Sequence, residues 1–234
     1  MAKILSNKHI KDNIYLMEVE FKQPTKPGQF FMLKAWDLDP LLPRPISIYD
    51  VSDDSVKFLY AVVGKGTQIL SSLKPSQELT LVGPLGNGFE LSNKKVALVA
   101  GGIGIAPLLY LAKNLPNKPD LYVGFRHESY CLDEFRPYVN QIIVTTDDGH
   151  EGLHGFITSQ INPQDYEVIY GCGPTPMMKV LKDLCVDTTL YLSLENHMAC
   201  GIGACLGCTV QTHKTMERVC VDGPVFEAKE LVNA

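Results

Sequence analysis

Lys95-Val-Ala-Leu-Val-Ala-Gly101-Gly102-Ile-Gly104-Ile-Ala-Pro107 is the stretch on which the fold turns. Lys95 to Ala100 is a continuous apolar run, as expected of a parallel strand buried on both faces. It feeds a glycine turn, and Leu108 to Leu115 then reads as a helix. Strand, glycine turn and helix in that order form a nucleotide-binding unit: backbone approaches a pyrophosphate closely, and the helix N-terminus supplies positive potential. The pattern is G-x-G-x-x-P, not the Rossmann G-x-G-x-x-G.

Downstream the alternation continues. Leu121 to Phe125, Gln141 to Thr146, Glu167 to Tyr170 and Thr188 to Leu194 read as strands. Gly171-Cys172-Gly173-Pro174-Thr175-Pro176-Met177 introduces another helix, since proline suits a first turn. Met177, Val180, Leu181 and Leu184 fall at i, i+3, i+4 and i+7 and predict its buried face.

Upstream, the first ninety residues read as β. Ile14–Phe21, Gln29–Lys34, Arg44–Tyr49 and Val56–Val63 are short strands separated by turn signals, which predicts a small antiparallel barrel. Arg44-Pro45-Ile46-Ser47 sets an arginine fork and a hydroxyl on one strand, suited to a pyrophosphate and a ring heteroatom. Gly64-Lys65-Gly66-Thr67 before the helical run Gln68–Leu73 makes a phosphate cradle. Taken singly, each is more simply a strand end and a turn.

The last segment carries Cys200-Gly-Ile-Gly-Ala-Cys205-Leu-Gly-Cys208, completed by Cys220, a C-x4-C-x2-C-x11-C spacing. That is the plant-type [2Fe–2S] arrangement. Gly201, Gly203, Ala204 and Gly207 allow tight curvature and free N–H groups around a cluster. Structural zinc favours paired short spacings, and disulfides fit poorly with seven cysteines and no secretory signal. Four buried structural thiols is the remaining bland alternative.

Composition excludes other classes. The 234 residues carry 45% hydrophobic and 20% charged side chains and a net charge of −5, with no block of like charge for a nucleic-acid arm. No apolar run is long enough for a membrane helix. Thiolate cysteines without an export signal predict a cytoplasmic protein. His9, His127, His150, His154, His197 and His213 show no metal-ligand pairing, and Cys131 and Cys185 read as structural.

Together, the R-x-x-S strand, the G-x-G-T loop, the G-P-x-G linker in Val82–Phe89 and the C-G-P motif at Cys172-Gly173-Pro174 resemble the ferredoxin reductase superfamily. With the cysteine tail, the whole chain resembles the electron-transfer subunit of type B dihydroorotate dehydrogenase. That resemblance implies three units: an antiparallel flavin-binding β-barrel (1–90), a parallel-sheet α/β domain for NAD (91–195) and a small iron–sulfur tail (196–234). It implies FAD along Arg44, Pro45, Ile46 and Ser47, lined by Leu59, Tyr60 and Ala61 and held at Gly66 and Thr67. NAD would lie on Gly101, Gly102, Gly104, Pro107, Cys172, Gly173 and Pro174, and the cluster on Cys200, Cys205, Cys208 and Cys220. Cys172 taken alone reads equally as a small buried thiol, and Glu195 is the one acidic residue near the cluster motif placed to face the nicotinamide. The implied partner is an FMN-bearing dihydroorotate dehydrogenase subunit in a heterotetramer. The alternatives are a stand-alone NAD(P)H-dependent flavin/iron–sulfur reductase feeding an oxygenase or other acceptor, and a redox-silent zinc-stabilised binding module. The 34 residues after Cys200 are too few for a complete ferredoxin domain.

Overall fold

The computed structural model describes residues 1–232. Its first part is a seven-stranded sheet of β1 (Ala2–Lys11), β2 (Ile14–Glu20), β3 (Phe30–Lys34), β4 (Arg44–Ser47), β5 (Asp50–Val51), β6 (Ser55–Ala61) and β7 (Glu78–Leu85). The order is β4-β3-β7-β1-β2-β6-β5, and every pairing is antiparallel. Register shifts in β1 and β3 add local twist, so the sheet curls round one core. Ile4, Met17, Phe31, Phe58 and Leu79 fill that core, and Leu70 of helix α1 (Lys65–Ser72) joins it. β1 escapes a reading of the sequence because its alternation is weak and Ile4 is its one fully buried residue. β7 was hidden by Gly83-Pro84, which read as linker but lies inside the strand.

The second sheet comprises β8 (Val96–Gly101), β9 (Asp120–Phe125), β10 (Ile142–Thr146), β11 (Leu153–His154), β12 (Val168–Cys172) and β13 (Thr189–Ser193), all parallel. Its order is β11-β10-β9-β8-β12-β13, extended by a seventh strand described below. Helix α2 (Ala106–Asn114) follows β8, and helix α3 (Thr175–Leu184) follows β12. All six residues of β8 are buried, which accounts for its unbroken apolar sequence. The winding reverses at β8, between β9 and β12, so a crevice opens at the carboxyl ends of β8 and β12.

The predicted face of α3 is rotated. Met178 and Leu181 are buried, whereas Val180 and Leu184 are 45% and 44% exposed. Two stripes overlap at Leu181, and the structure uses the one running Met178, Leu181, Cys185. A Cβ on Gly171 would meet Leu181 Cδ2 at 2.8 Å, so the glycine lets the helix settle closely on β12 through that stripe.

Beyond β13, β14 (Thr209–Gln211) and β15 (Met216–Arg218) form a hairpin, and β16 (Val225–Glu227) pairs antiparallel with β13. The parallel sheet is therefore mixed at this edge. Cys208, Val219, Cys220 and Phe226 share one buried group with Ala97 and Val99 of β8 and with Phe30 and Met32 of the barrel. So short a tail lacks the residues for a core of its own and borrows two neighbouring ones.

The barrel and the second sheet are also stitched directly. Asp50 is 8% exposed and accepts from Lys113 Nζ of α2 at 2.7 Å, while the Tyr110 N–H donates to the Tyr49 carbonyl at 3.1 Å. Among the described residues, no helix is long and apolar enough to cross a membrane.

Candidate functional site

A cleft of about 590 Å³ lies where the barrel, the carboxyl ends of the parallel strands and the start of the cysteine segment meet. This size is ordinary for a cofactor site. On the barrel side it is walled by Arg44–Ser47 of β4, Leu59–Ala61 of β6, Phe30, Val63 and Thr67. On the other side stand Ile103, Ala106 and Pro107 at the start of α2, and Gly173, Pro174, Thr175 and Met178 after β12. Ser193 to Met198 and Pro224 close the third side. Expectations from the sequence missed this third wall apart from Glu195. The signal was available, because Ser193 ends a parallel strand, and ligands gather at such carboxyl ends.

Arg44 sits directly against the first turn of α1. A Cβ on Gly66 would stand 2.6 Å from its Nε, and its guanidinium packs over the Trp36 ring at 5.6 Å. Nη1 donates to the Leu42 carbonyl at 2.6 Å. The Thr67 hydroxyl is committed locally: it accepts the N–H groups of Val63 at 3.0 Å and Gly64 at 3.1 Å and donates to the Gly64 carbonyl at 2.9 Å. It therefore shapes the turn rather than offering a free donor. What remains for a phosphate is the unpaired first-turn N–H groups of α1 with the Arg44 fork beside them. An arginine held by a side-chain-free neighbour at a helix N-terminus fits a dinucleotide pyrophosphate.

The glycines after β8 divide between two tasks. A Cβ on Gly104 would lie 2.2 Å from the Cys172 carbonyl oxygen, and one on Gly101 would lie 2.8 Å from both Met177 Sδ and Pro174 Cδ. These two serve contact between the loops ending β8 and β12. Gly102 alone faces open space, at φ +54°. Cys172 is 2% exposed and is not part of the cleft wall, which is built in front of it by Gly173 and Pro174. Burial pushes its thiol well above the ordinary cysteine range, and the nearby Glu195 carboxylate adds to the rise. Glu195 keeps much of its surface in solvent, yet desolvation by the cleft walls raises its carboxyl above the ordinary value.

The four tail cysteines gather as two pairs. The Cys205 N–H donates to Cys200 Sγ at 3.4 Å, and N–H groups of Ile202, Cys205 and Ala204 hold the Cys200 thiol down to about 6. The β14–β15 hairpin pairs Thr209 with Arg218, which brings Cys208 beside Cys220. Gly203 N–H donates to Cys220 Sγ at 3.2 Å, while burial pushes that thiol up to about 11. Gly201 and Gly203 take φ of +72° and +78°, so the loop can wrap tightly. Among the described residues, no three of these sulfurs lie within 4.8 Å of one another. One tetrahedral zinc would need its sulfurs mutually within roughly 3.8 Å. Two sulfur pairs fringed with N–H donors fit a two-iron cluster instead.

Comparison with known proteins agrees with this geometry. Residues 195–232 match the model of the iron–sulfur cluster binding domain of dihydroorotate dehydrogenase B. The chain is 46% identical to the dihydroorotate dehydrogenase B (NAD(+)) electron transfer subunit of Clostridium acetobutylicum, over 99% of this chain and 96% of that one. It is 40% identical to the protein of the same name from Clostridium perfringens, over 98% and 96%. Among solved structures, a chain of the NADH-dependent reduced ferredoxin-NADP oxidoreductase superposes with TM-score 0.91 at 27% identity, covering 100% of this chain and 90% of that one. A Neisseria gonorrhoeae ferredoxin NADP+ reductase with bound FAD and NADP shares the fold, with TM-score 0.63 at 17% identity over 78% of this chain and 90% of its own. Near-full-length identity at this level, together with the paired cysteines beside the cleft, places the chain in the family of dihydroorotate dehydrogenase B electron transfer subunits.

Proposed function

We propose that this chain is the electron-transfer half of a two-subunit dihydroorotate dehydrogenase. It receives electrons from an FMN-bearing catalytic subunit that oxidises dihydroorotate and delivers them to NAD+, using FAD and a [2Fe–2S] cluster of its own. The observation that carries this reading is continuity. Ser193–Met198 wall the cleft, and Cys200, two residues on, is the first cysteine of the sulfur pairs. A Cβ on Gly201 would meet Met32 Cγ at 2.7 Å and Leu85 Cδ1 at 3.1 Å, so the cysteine loop is pressed onto the barrel.

When bound, a flavin supplies conversion between single electrons, as a cluster handles them, and the pair that nicotinamide takes as hydride. The chain's residues bind and orient. Arg44 and the first turn of α1 hold the pyrophosphate, and Ser47, Leu59, Tyr60 and Ala61 flank the ring system. Gly102 and the start of α2 receive the nicotinamide dinucleotide, with Gly173 and Pro174 opposite. Cys200, Cys205, Cys208 and Cys220 would hold the cluster's irons through their thiolates. Cys172 backs the nicotinamide wall from within the core.

Partner contact is supported at the cysteine loop, where Ile202 and Leu206 are 61% and 59% exposed. Two copies of each subunit would form the assembly. Cytoplasmic residence is supported by cysteines kept as thiols, none of the seven being in a disulfide. The test is reconstitution. The purified chain should pass electrons from NADH to artificial acceptors and leave dihydroorotate untouched. Dihydroorotate-dependent NAD+ reduction should appear on adding the catalytic subunit. Dihydroorotate oxidation by this chain alone, or no gain with the catalytic subunit, overturns the reading.

A further inference from the structure

The loops after β9 and β10 bring together side chains that electron transfer does not use and that lie far apart in sequence. The rings of His127 and His150 stack with centroids 4.2 Å apart and planes inclined by 23°. Oε1 of Glu128 lies 3.9 Å from His127 Nε2 and 3.4 Å from His150 Nε2. One nitrogen of each ring and one carboxylate oxygen all fall within 4.8 Å of one another. The sequence shows no metal-ligand pairing among the histidines; the fold brings two of them together, because parallel neighbours β9 and β10 end side by side and carry these loops.

Asp148 gives the group its direction. Its carboxylate bonds His127 Nδ1, and its Oδ1 also accepts the His150 backbone N–H at 3.0 Å. A carboxylate on Nδ1 keeps the proton there and leaves the lone pair on Nε2, the nitrogen turned toward Glu128. Lys11 of the barrel pairs with the other Glu128 oxygen, Oε2, so Oε1 stays available to the rings.

We propose that His127, His150 and Glu128 form a surface site for a borderline divalent transition-metal ion such as Zn2+, with Asp148 as the residue that orients His127. Two imidazoles and one carboxylate prefer Zn2+, Ni2+ or Co2+ over Mg2+ and Ca2+. Donors at 2.0–2.1 Å from a tetrahedral ion stand roughly 3.3 Å apart. The 3.4 Å separation already meets this; the 3.9 Å one and the near-parallel rings require one imidazole to turn out of the stack so that both lone pairs meet at the ion, a rotamer change that exposed loops permit. The side chains of His127, His150 and Glu128 are 60%, 52% and 40% exposed, so an ion reaches them from solvent. A bound ion would pin the loop after β9 to the loop after β10.

The experiment is equilibrium dialysis of the flavin- and iron-loaded protein against Zn2+, followed by metal analysis. One zinc per chain should bind with the iron content and flavin absorbance unchanged. His127→Gln and His150→Gln should each weaken zinc binding at least tenfold, and Asp148→Asn about tenfold, as expected of a partner that orients a ligand. His213→Gln, in the tail, should change nothing. Zinc binding unaffected by both ring substitutions, equal uptake of Mg2+, or no zinc retained at about 0.1 mM would each overturn the proposal.

Discussion

A Cβ placed on Gly66 would stand 2.6 Å from Nε and 2.8 Å from Cζ of Arg44, so the first turn of α1 is built directly against the guanidinium. The atom in the way is the end of a flexible side chain. Gly66→Ala should therefore fold with little change in Tm while displacing the arginine. Flavin binding should fall as it does in Arg44→Ala, where losing a charge-assisted contact costs about 1.5–3 kcal/mol, or roughly tenfold to a hundredfold. Flavin retention on dilution, read by fluorescence, checks both variants.

Gly104 meets a harder neighbour. Its Cβ would lie 2.2 Å from the oxygen and 2.5 Å from the carbon of the Cys172 carbonyl, which is backbone inside a buried strand. Gly104→Ala should destabilise by about 1–3 kcal/mol and lower NADH turnover as the β8 and β12 loops part. Gly102→Ala meets nothing within 4 Å and carries only the left-handed backbone cost, about 1–2 kcal/mol. Thermal unfolding of the pair should rank Gly104→Ala as the less stable.

Cys205→Ser removes one thiolate from the exposed pair and leaves the barrel untouched. The variant should lose its visible iron–sulfur absorbance and its labile sulfide, with flavin content near that of the parent. Metal and sulfide analysis of anaerobically purified protein gives the result directly; about two irons and two sulfides per parent chain are expected.

Glu195 gives a pH dependence. Its carboxyl is raised by desolvation, so the folded state holds its proton more tightly than the unfolded state. Stability from this group is present below the unfolded carboxylate range and is lost as pH rises through the folded pKa. Glu195→Gln should therefore have a higher Tm than the parent at pH 8, the gap closing as pH falls toward 4. A parallel shift at both pH values would assign the effect to packing instead.

Much of the site could be read residue by residue. Arg44–Ser47, Leu59–Ala61, Thr67, Pro107, Gly173 and Pro174 all reach the cleft. Their legibility is local, because each motif is a strand end or helix start whose geometry follows from its own glycines, prolines and hydroxyls. Other details turn on contacts that the motifs themselves do not show. Thr67 spends its hydroxyl on its own turn, and Gly101 and Gly104 make room for the β12 loop. Cys172 is sealed behind the glycine and proline that follow it.

Taken alone, the sequence determined the order of the units, the buried parallel strand with its glycine turn, and the four cysteine positions, because periodicity and spacing are properties of short segments. Only the tertiary structure decided which stripe of α3 is buried, that β16 completes the sheet of the second unit, and that His127 and His150 stack. Each of these depends on surfaces supplied by another part of the chain. A helix with two overlapping apolar stripes, a three-residue strand and two isolated histidines carry too little local energy to choose for themselves; packing against a neighbour makes the choice.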